Sequence, residues 1–192
     1  MKIGFPRCAL LAVTGLVLSL GAARADMLRP PGSPDEVISG VPVIESSNLL
    51  AIDGKKISLW GVSTLAPDQQ CWQNGTAWDC GEQATLVLRH FVEDHMLECH
   101  VKNKTGEEPM SAQCFRQFHD EKEDVASLLV RKGWALSAPA GTLTPPYLED
   151  EKKAHSEKSG IWGSHFQTAE DWREGIQRYV DEDNKNPPAK EK

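Results

Sequence analysis

Ile57-Ser58-Leu59-Trp60-Gly61-Val62-Ser63-Thr64-Leu65-Ala66-Pro67 is the stretch that decides how this chain is read. Ile57, Leu59 and Gly61 alternate with Ser58, Trp60 and Val62, the period of a strand with one buried face. Pro67 then closes the run and a loop begins. Just upstream, Asp53-Gly54 is a two-residue hairpin signal. Residues 41–52 and 56–62 are therefore expected to pair as the first strands of a meander. Downstream, residues 63–80 read as a long loop carrying Trp72, Gly75 and Trp78.

Beyond that loop the period changes. Ala84, Val87, Leu88 and Phe91 recur at helical spacing, which predicts a helix over 81–95 with one apolar face. Residues 96–101 and 112–118 alternate like strands around a polar tip at 103–109. Acids at 120–124 and bases at 131–132 suit the two ends of a second helix over 120–132, with Gly133 as its stop. A short strand at 134–138, a helix opened by Pro145-Pro146 and running to 159, and a helix over 170–179 complete the order. The fold class implied is mostly β with α: a small barrel of about five strands with about three helices, one of them plugging an end.

Length and charge bound the rest. A chain of 192 residues suits one domain with a targeting segment and a tail. Residues 1–25 read as a secretory signal: a basic start, an apolar run, then Ala23-Arg24-Ala25. Residues 26–40, rich in Pro and Gly, read as a flexible leader. Residues 41–180 form the domain, and 181–192 a charged, disordered tail. The formal charge of −7 opposes non-specific nucleic-acid binding, which needs Lys and Arg against phosphates. The expected state is a monomer without a membrane anchor.

Past the signal lie Cys71, Cys80, Cys99 and Cys114, an even number in an exported chain, which predicts disulfides. Cys71–Cys80 and Cys99–Cys114 are the favoured pairs, because each closes a short local loop. The rival is a metal site from Cys99, His100, Cys114 and His119, a spacing that matches no common zinc pattern.

Several pieces together carry a resemblance: Ile57 to Val62, Cys80-Gly81-Glu82-Gln83-Ala84, Ala112-Gln113-Cys114-Phe115, Leu129 to Ala135, Gly160-Ile161-Trp162 and Asp171-Trp172-Arg173. In order and spacing they resemble the staphylococcal-nuclease-like (thermonuclease) family, in its secreted bacterial envelope branch. The cysteine positions match that branch too. The resemblance implies an OB-fold barrel and cleavage of phosphodiesters with one calcium ion. In such enzymes two aspartates hold the metal, a glutamate activates water and two arginines neutralise the anionic transition state.

Carried over position by position, every charged residue of that set is replaced. The first metal aspartate falls on Asn48, or with one gap on Ser47; the second falls on Ser63, with Thr64 beside it. The first arginine falls on Ser58 and the glutamate on Ala66. The second arginine falls in Glu107-Glu108-Pro109. Asp68, in Ala66-Pro67-Asp68, and Glu45 are the two acids a rearranged site would have to recruit. Neither returns an arginine. Oxygen ligands suit calcium, but Asn48, Ser63 and Thr64 supply little charge.

Other constellations are weaker. Ser58, Ser63 and Thr64 lack the G-x-S-x-G elbow and a neighbouring His for serine hydrolysis. Of the six tryptophans, Trp60, Trp134 and Trp162 read as packing, while Trp72 and Trp78 are the better candidates for cleft binding. His90 and His95 read as surface residues. The sequence thus points to a non-catalytic thermonuclease homologue of the periplasm, acting as a binding or structural module. It would need no cofactor, and its partner would be an envelope protein or a carbohydrate. One alternative is a calcium-dependent nuclease with a rearranged site. The other is an envelope protein linked to exopolysaccharide biosynthesis.

Overall fold

A computed structural model describes residues 36–103, 107–176 and 180. The signal over 1–25, most of the leader, the tip at 104–106, residues 177–179 and the tail over 181–192 lie outside the described residues.

Among the described residues, eleven strands and four helices follow in order. They are β1 (Val37–Gly40), β2 (Val43–Ile44), β3 (Leu49–Ile52), β4 (Lys55–Leu59), β5 (Val62–Thr64), β6 (Cys71–Gln73) and β7 (Thr76–Trp78), then α1 (Cys80–Val92). After it come β8 (Leu97–Val101), β9 (Met110–Phe118), β10 (Glu121–Asp124), α2 (Val125–Arg131), β11 (Ala135–Ser137), α3 (Leu148–Ser156), a 3-10 turn (Gly160–Gly163) and α4 (Ala169–Glu174).

The main sheet runs β1-β8-β9-β4-β3-β2, with β10 also on β9. All its pairings are antiparallel except β4 with β9, which sets Ile57 beside Met110, Ser58 beside Ser111 and Leu59 beside Ala112. These pairings form a path, not the closed five-stranded ring expected. Its two ends, β1 and β2, are separated in sequence only by Val41 and Pro42. β11 pairs with β5, and β6 with β7, as two small separate sheets.

The strand alternation around residue 57 holds. Ile57 and Leu59 are buried, and Ser58 is half-buried. Leu50 and Ile52 meet them in the main core with Leu97, Val101, Val125 and Leu129, under Leu88 and Val92 of α1. On α1 the fully buried stripe is Ala84, Leu88 and Val92; Val87 and Phe91, expected inside, are only partly covered. A second core joins Leu65, the Cys71 and Cys80 pair, Ala84, Ile161 and Phe166.

Element boundaries change as well. The leader ends early, because Val37–Gly40 pairs with β8 instead of staying free. The loop over 63–80 contains β5 and a hairpin, β6–β7, turned at Asn74-Gly75. Both turn residues take positive φ (52° and 78°), the conformation a two-residue hairpin requires. The helix expected over 120–132 begins only at Val125. Residues 121–124 extend along β9 instead, where Arg116 bonds Glu123 and Lys122 bonds Glu98. Asp124 then caps α2 by accepting from Ala126 and Ser127 N–H. The last helix stops at Gly175, which takes a left-handed φ of 69°.

Both disulfides form as favoured. Cys71 bonds Cys80, and Cys99 bonds Cys114 directly across the β8–β9 ladder. The rival metal site fails for that reason, since its two cysteine sulfurs are joined to each other. Its His100 lies against the Glu98 carboxylate at 2.8 Å. Among the described residues no helix is long and apolar enough to cross a membrane.

Candidate functional site: a cleft at the strand-to-loop corner

Five segments converge on one cleft of about 390 Å³, within the ~300–1,000 Å³ of small-molecule sites. Ser46 to Asn48 come from the turn before β3, Leu49 from the start of β3, Ser58 from β4, and Val62 to Pro67 from β5 and the loop behind it. Pro109 precedes β9, and Ala169 and Arg173 belong to α4. Seven positions singled out in the sequence therefore share one cavity: Ser47, Asn48, Ser58, Ser63, Thr64, Ala66 and Pro109.

Local hydrogen bonding fixes each wall. Leu59 N–H donates to both Asn48 Oδ1 (2.9 Å) and the Asn48 carbonyl (3.2 Å), so Asn48 clamps β4. Ser47, almost wholly buried, lies 2.9 Å from the Leu65 carbonyl and 2.9 Å from Thr64 Oγ1. β5 is held by β11, which sets Ser63 beside Leu136 and Thr64 beside Ala135.

A polar strut stands behind β11. Ser137 N–H donates to Glu151 at 2.6 Å, and Tyr147 N–H to Ser137 Oγ at 3.0 Å. The Tyr147 hydroxyl donates to Asp124 at 2.9 Å. Burial, with the Asp124 charge behind it, drives the Tyr147 phenol far above its ordinary range, so it stays a donor. Burial also pushes the Glu151 carboxyl up, against the opposing pull of the Ser137 N–H and of His155.

The far corner hangs on Gln69, which is fully buried. Its side-chain oxygen accepts from Ala66 N–H (3.1 Å), its amide donates to the Gln167 carbonyl (2.7 Å), and its own carbonyl accepts from Gly81 N–H (3.0 Å). One side chain thus ties the loop after β5 to the segment leading into α4. Gly81 has no alternative there: a Cβ would stand 1.9 Å from the Ala66 carbonyl oxygen.

Electrostatically the cleft is sparse. Among the described residues Arg173 is the one charged residue lining it, and no carboxylate does so. Asp68 and Glu45, the acids a rearranged site would recruit, are both exposed and line no part of it; Glu45 is engaged by Lys56 at 3.1 Å. Pro109 has neither a charge nor an N–H to offer where an arginine was expected. The donor set does not fit calcium. A hard divalent cation wants several oxygens including carboxylates, whereas Asn48 Oδ1 already accepts one bond and Ser47 and Thr64 are joined to each other.

Trp72 and Trp78 do not line this cleft. Trp78 donates to Ser164 Oγ at 3.2 Å and packs edge-on against Trp134, and Trp72 packs against Trp172. A larger groove of about 590 Å³ between α1 and the segments around Lys132 and Gly160 includes His90. It contains none of the corner residues, so chemistry and not size selects the cleft.

Sequence reading missed Ser46, Ala169 and Arg173 as site residues, and Gln69 as their anchor. Asp171-Trp172-Arg173 entered only as a mark of resemblance, and no local spacing connects residue 173 with residues 46–67. No protein-family model matches the chain, and a search of curated proteins finds no match either.

Proposed function

We propose that the chain is a non-catalytic thermonuclease homologue, exported to the periplasm, whose former reaction cleft now binds a small polar ligand. The fold that goes with this reading is an OB-type barrel. Two features support it: the parallel pairing of β4 with β9, and the nearness in sequence of β1 and β2, which places the two ends of the strand path on one bent segment. Two disulfides suit an oxidising compartment.

The observation that carries the functional reading is the lining of the cleft. The positions where metal, base and both arginines would stand meet in one cavity, and they hold Asn48, Ser63, Ala66, Ser58 and Pro109. Phosphodiester cleavage near neutral pH relies on charge placed around the phosphorane. Hydroxyls and one amide supply hydrogen bonds but not that charge.

Cleavage of single-stranded DNA and RNA by the oxidised, folded protein tests this, with Ca²⁺ and with chelator. The expected result is no rate above a buffer control. A rate that copurifies with the protein, disappears with chelator and falls in Asp68→Ala or Glu45→Ala would replace this reading with that of a rearranged nuclease.

A further inference from the structure

We propose that the cleft takes a small hydroxylated monocarboxylate, either a free sugar acid or the uronic-acid end of a glycan. This rests on the reading of the cleft as a binding site.

The inference comes from asking which polar groups of the lining are still available. Ser47 and Thr64 are already engaged within the corner, and so is the Oδ1 of Asn48, though not its amide N–H groups. Ser46, Ser58 and Ser63 are half-buried, and their hydroxyls bond no other group among the described residues. Arg173 is exposed at the α4 wall and forms no ion pair among the described residues. What faces a ligand is therefore three hydroxyls, each able to donate and accept, the Asn48 amide N–H groups and one guanidinium.

That set selects a chemistry. A guanidinium matches a planar carboxylate with two parallel N–H···O bonds. Hydroxyl partners match a ligand that is itself hydroxylated. A single cation neutralises a single negative charge, and the net charge of −7 repels a polyanion from the approach. Among the described residues no aromatic side chain lines the cleft, so they offer no platform for stacking a base.

The test is titration calorimetry on the full oxidised protein with five probes: D-gluconate, D-glucuronate, a glucuronate-terminated disaccharide, D-glucose and inorganic phosphate. The carboxylates should bind, and glucose should bind at least about tenfold more weakly, the size of one charge-assisted contact. Arg173→Gln should weaken the carboxylates by about the same factor, Arg173→Lys by less, and Ser58→Ala or Ser63→Ala by several-fold each. The melting temperature of Arg173→Gln should stay at the wild-type value.

A preference for the disaccharide over gluconate would assign the glycan source, and the reverse order the free acid. Glucose binding as well as glucuronate, phosphate binding more tightly than either, indifference to Arg173→Gln, or no binding by any probe would each overturn the inference. Failure here without nucleic-acid cleavage removes only the ligand class. Calcium-dependent cleavage removes the reading beneath it.

Discussion

Ser47 Oγ lies 2.9 Å from Thr64 Oγ1, joining the turn before β3 to the end of β5. The same Ser47 oxygen lies 2.9 Å from the Leu65 carbonyl, which can only accept. One hydroxyl carries one proton, so Ser47 donates to the carbonyl and Thr64 supplies the proton between the two hydroxyls. Both side chains then hold the corner shut instead of facing a ligand. Ser47→Ala leaves the Leu65 carbonyl and Thr64 without this partner in a buried place. We expect a loss of about 1–3 kcal/mol, read as a lower urea midpoint with an unchanged slope. An unchanged midpoint would mean that the corner does not depend on this pair.

The disulfides divide their effects between the two cores. Each should contribute about 2–4 kcal/mol by restricting the unfolded chain. Cys99–Cys114 joins strands already paired in the main sheet, while Cys71–Cys80 pins the β6–β7 hairpin next to Gln69 and Gly81. Cys71→Ala with Cys80→Ala should therefore speed amide exchange at Gln69 and Gly81 and leave β8 and β9 protected. Uniform acceleration across both regions would contradict this local role.

Much of this fold was legible because local chemistry and tertiary packing agree. The alternation at Ile57 to Leu59 and the Asp53-Gly54 turn each carry their own signal, and both stand as read. Asn74-Gly75 carries the same turn signal, but Cys71 and Cys80 on either side give the segment the look of a pinned loop. The acids at 120–124 suit the start of a helix. They pair along β9 instead, because Arg116 and Lys122 reward the extended form. The polar residues of the corner, Ser58, Ser63 and Thr64, stand in β4 or within a few residues of it and are visible in the sequence. The place of Arg173 beside them is not: it reaches the cleft only through the packing that Gln69 and Gln167 organise across 98 residues of chain.

Glu151 makes stability depend on pH in a direction opposite to a paired surface carboxylate. Its carboxyl starts from an ordinary value of 4.5 in the unfolded chain and is pushed higher by burial in the fold. Between those two values the native state holds more protons than the unfolded state, so stability falls as pH rises. The penalty is absent below 4.5 and complete above the raised native value. Glu151→Gln keeps an acceptor for Ser137 N–H but removes the titration. Its melting temperature relative to wild type should be more favourable at pH 7.5 than at pH 4. A difference that stays constant between them would show that the carboxyl titrates alike in both states.

Restoring charge to the cleft tests whether Asn48 and Ser63 face a common space. An aspartate at position 48 keeps one oxygen for Leu59 N–H, now provided by Asn48 at 2.9 Å, and leaves the other for an ion. An aspartate at position 63 adds a second carboxylate to the same lining. Asn48→Asp with Ser63→Asp should bring two carboxylates together, destabilising the protein in chelator through like-charge repulsion and creating a weak calcium site. With affinity on the order of 10⁻⁴–10⁻³ M, as in loosely built extracellular sites, 10 mM Ca²⁺, a concentration of about 10–100 times Kd, would stabilise the variant by about 1–3 kcal/mol. Neither single variant nor the wild type should respond, since one carboxylate or none cannot compensate a dehydrated divalent cation. A double variant whose melting temperature ignores calcium would mean that these two positions line one cavity without sharing a site an ion could bridge.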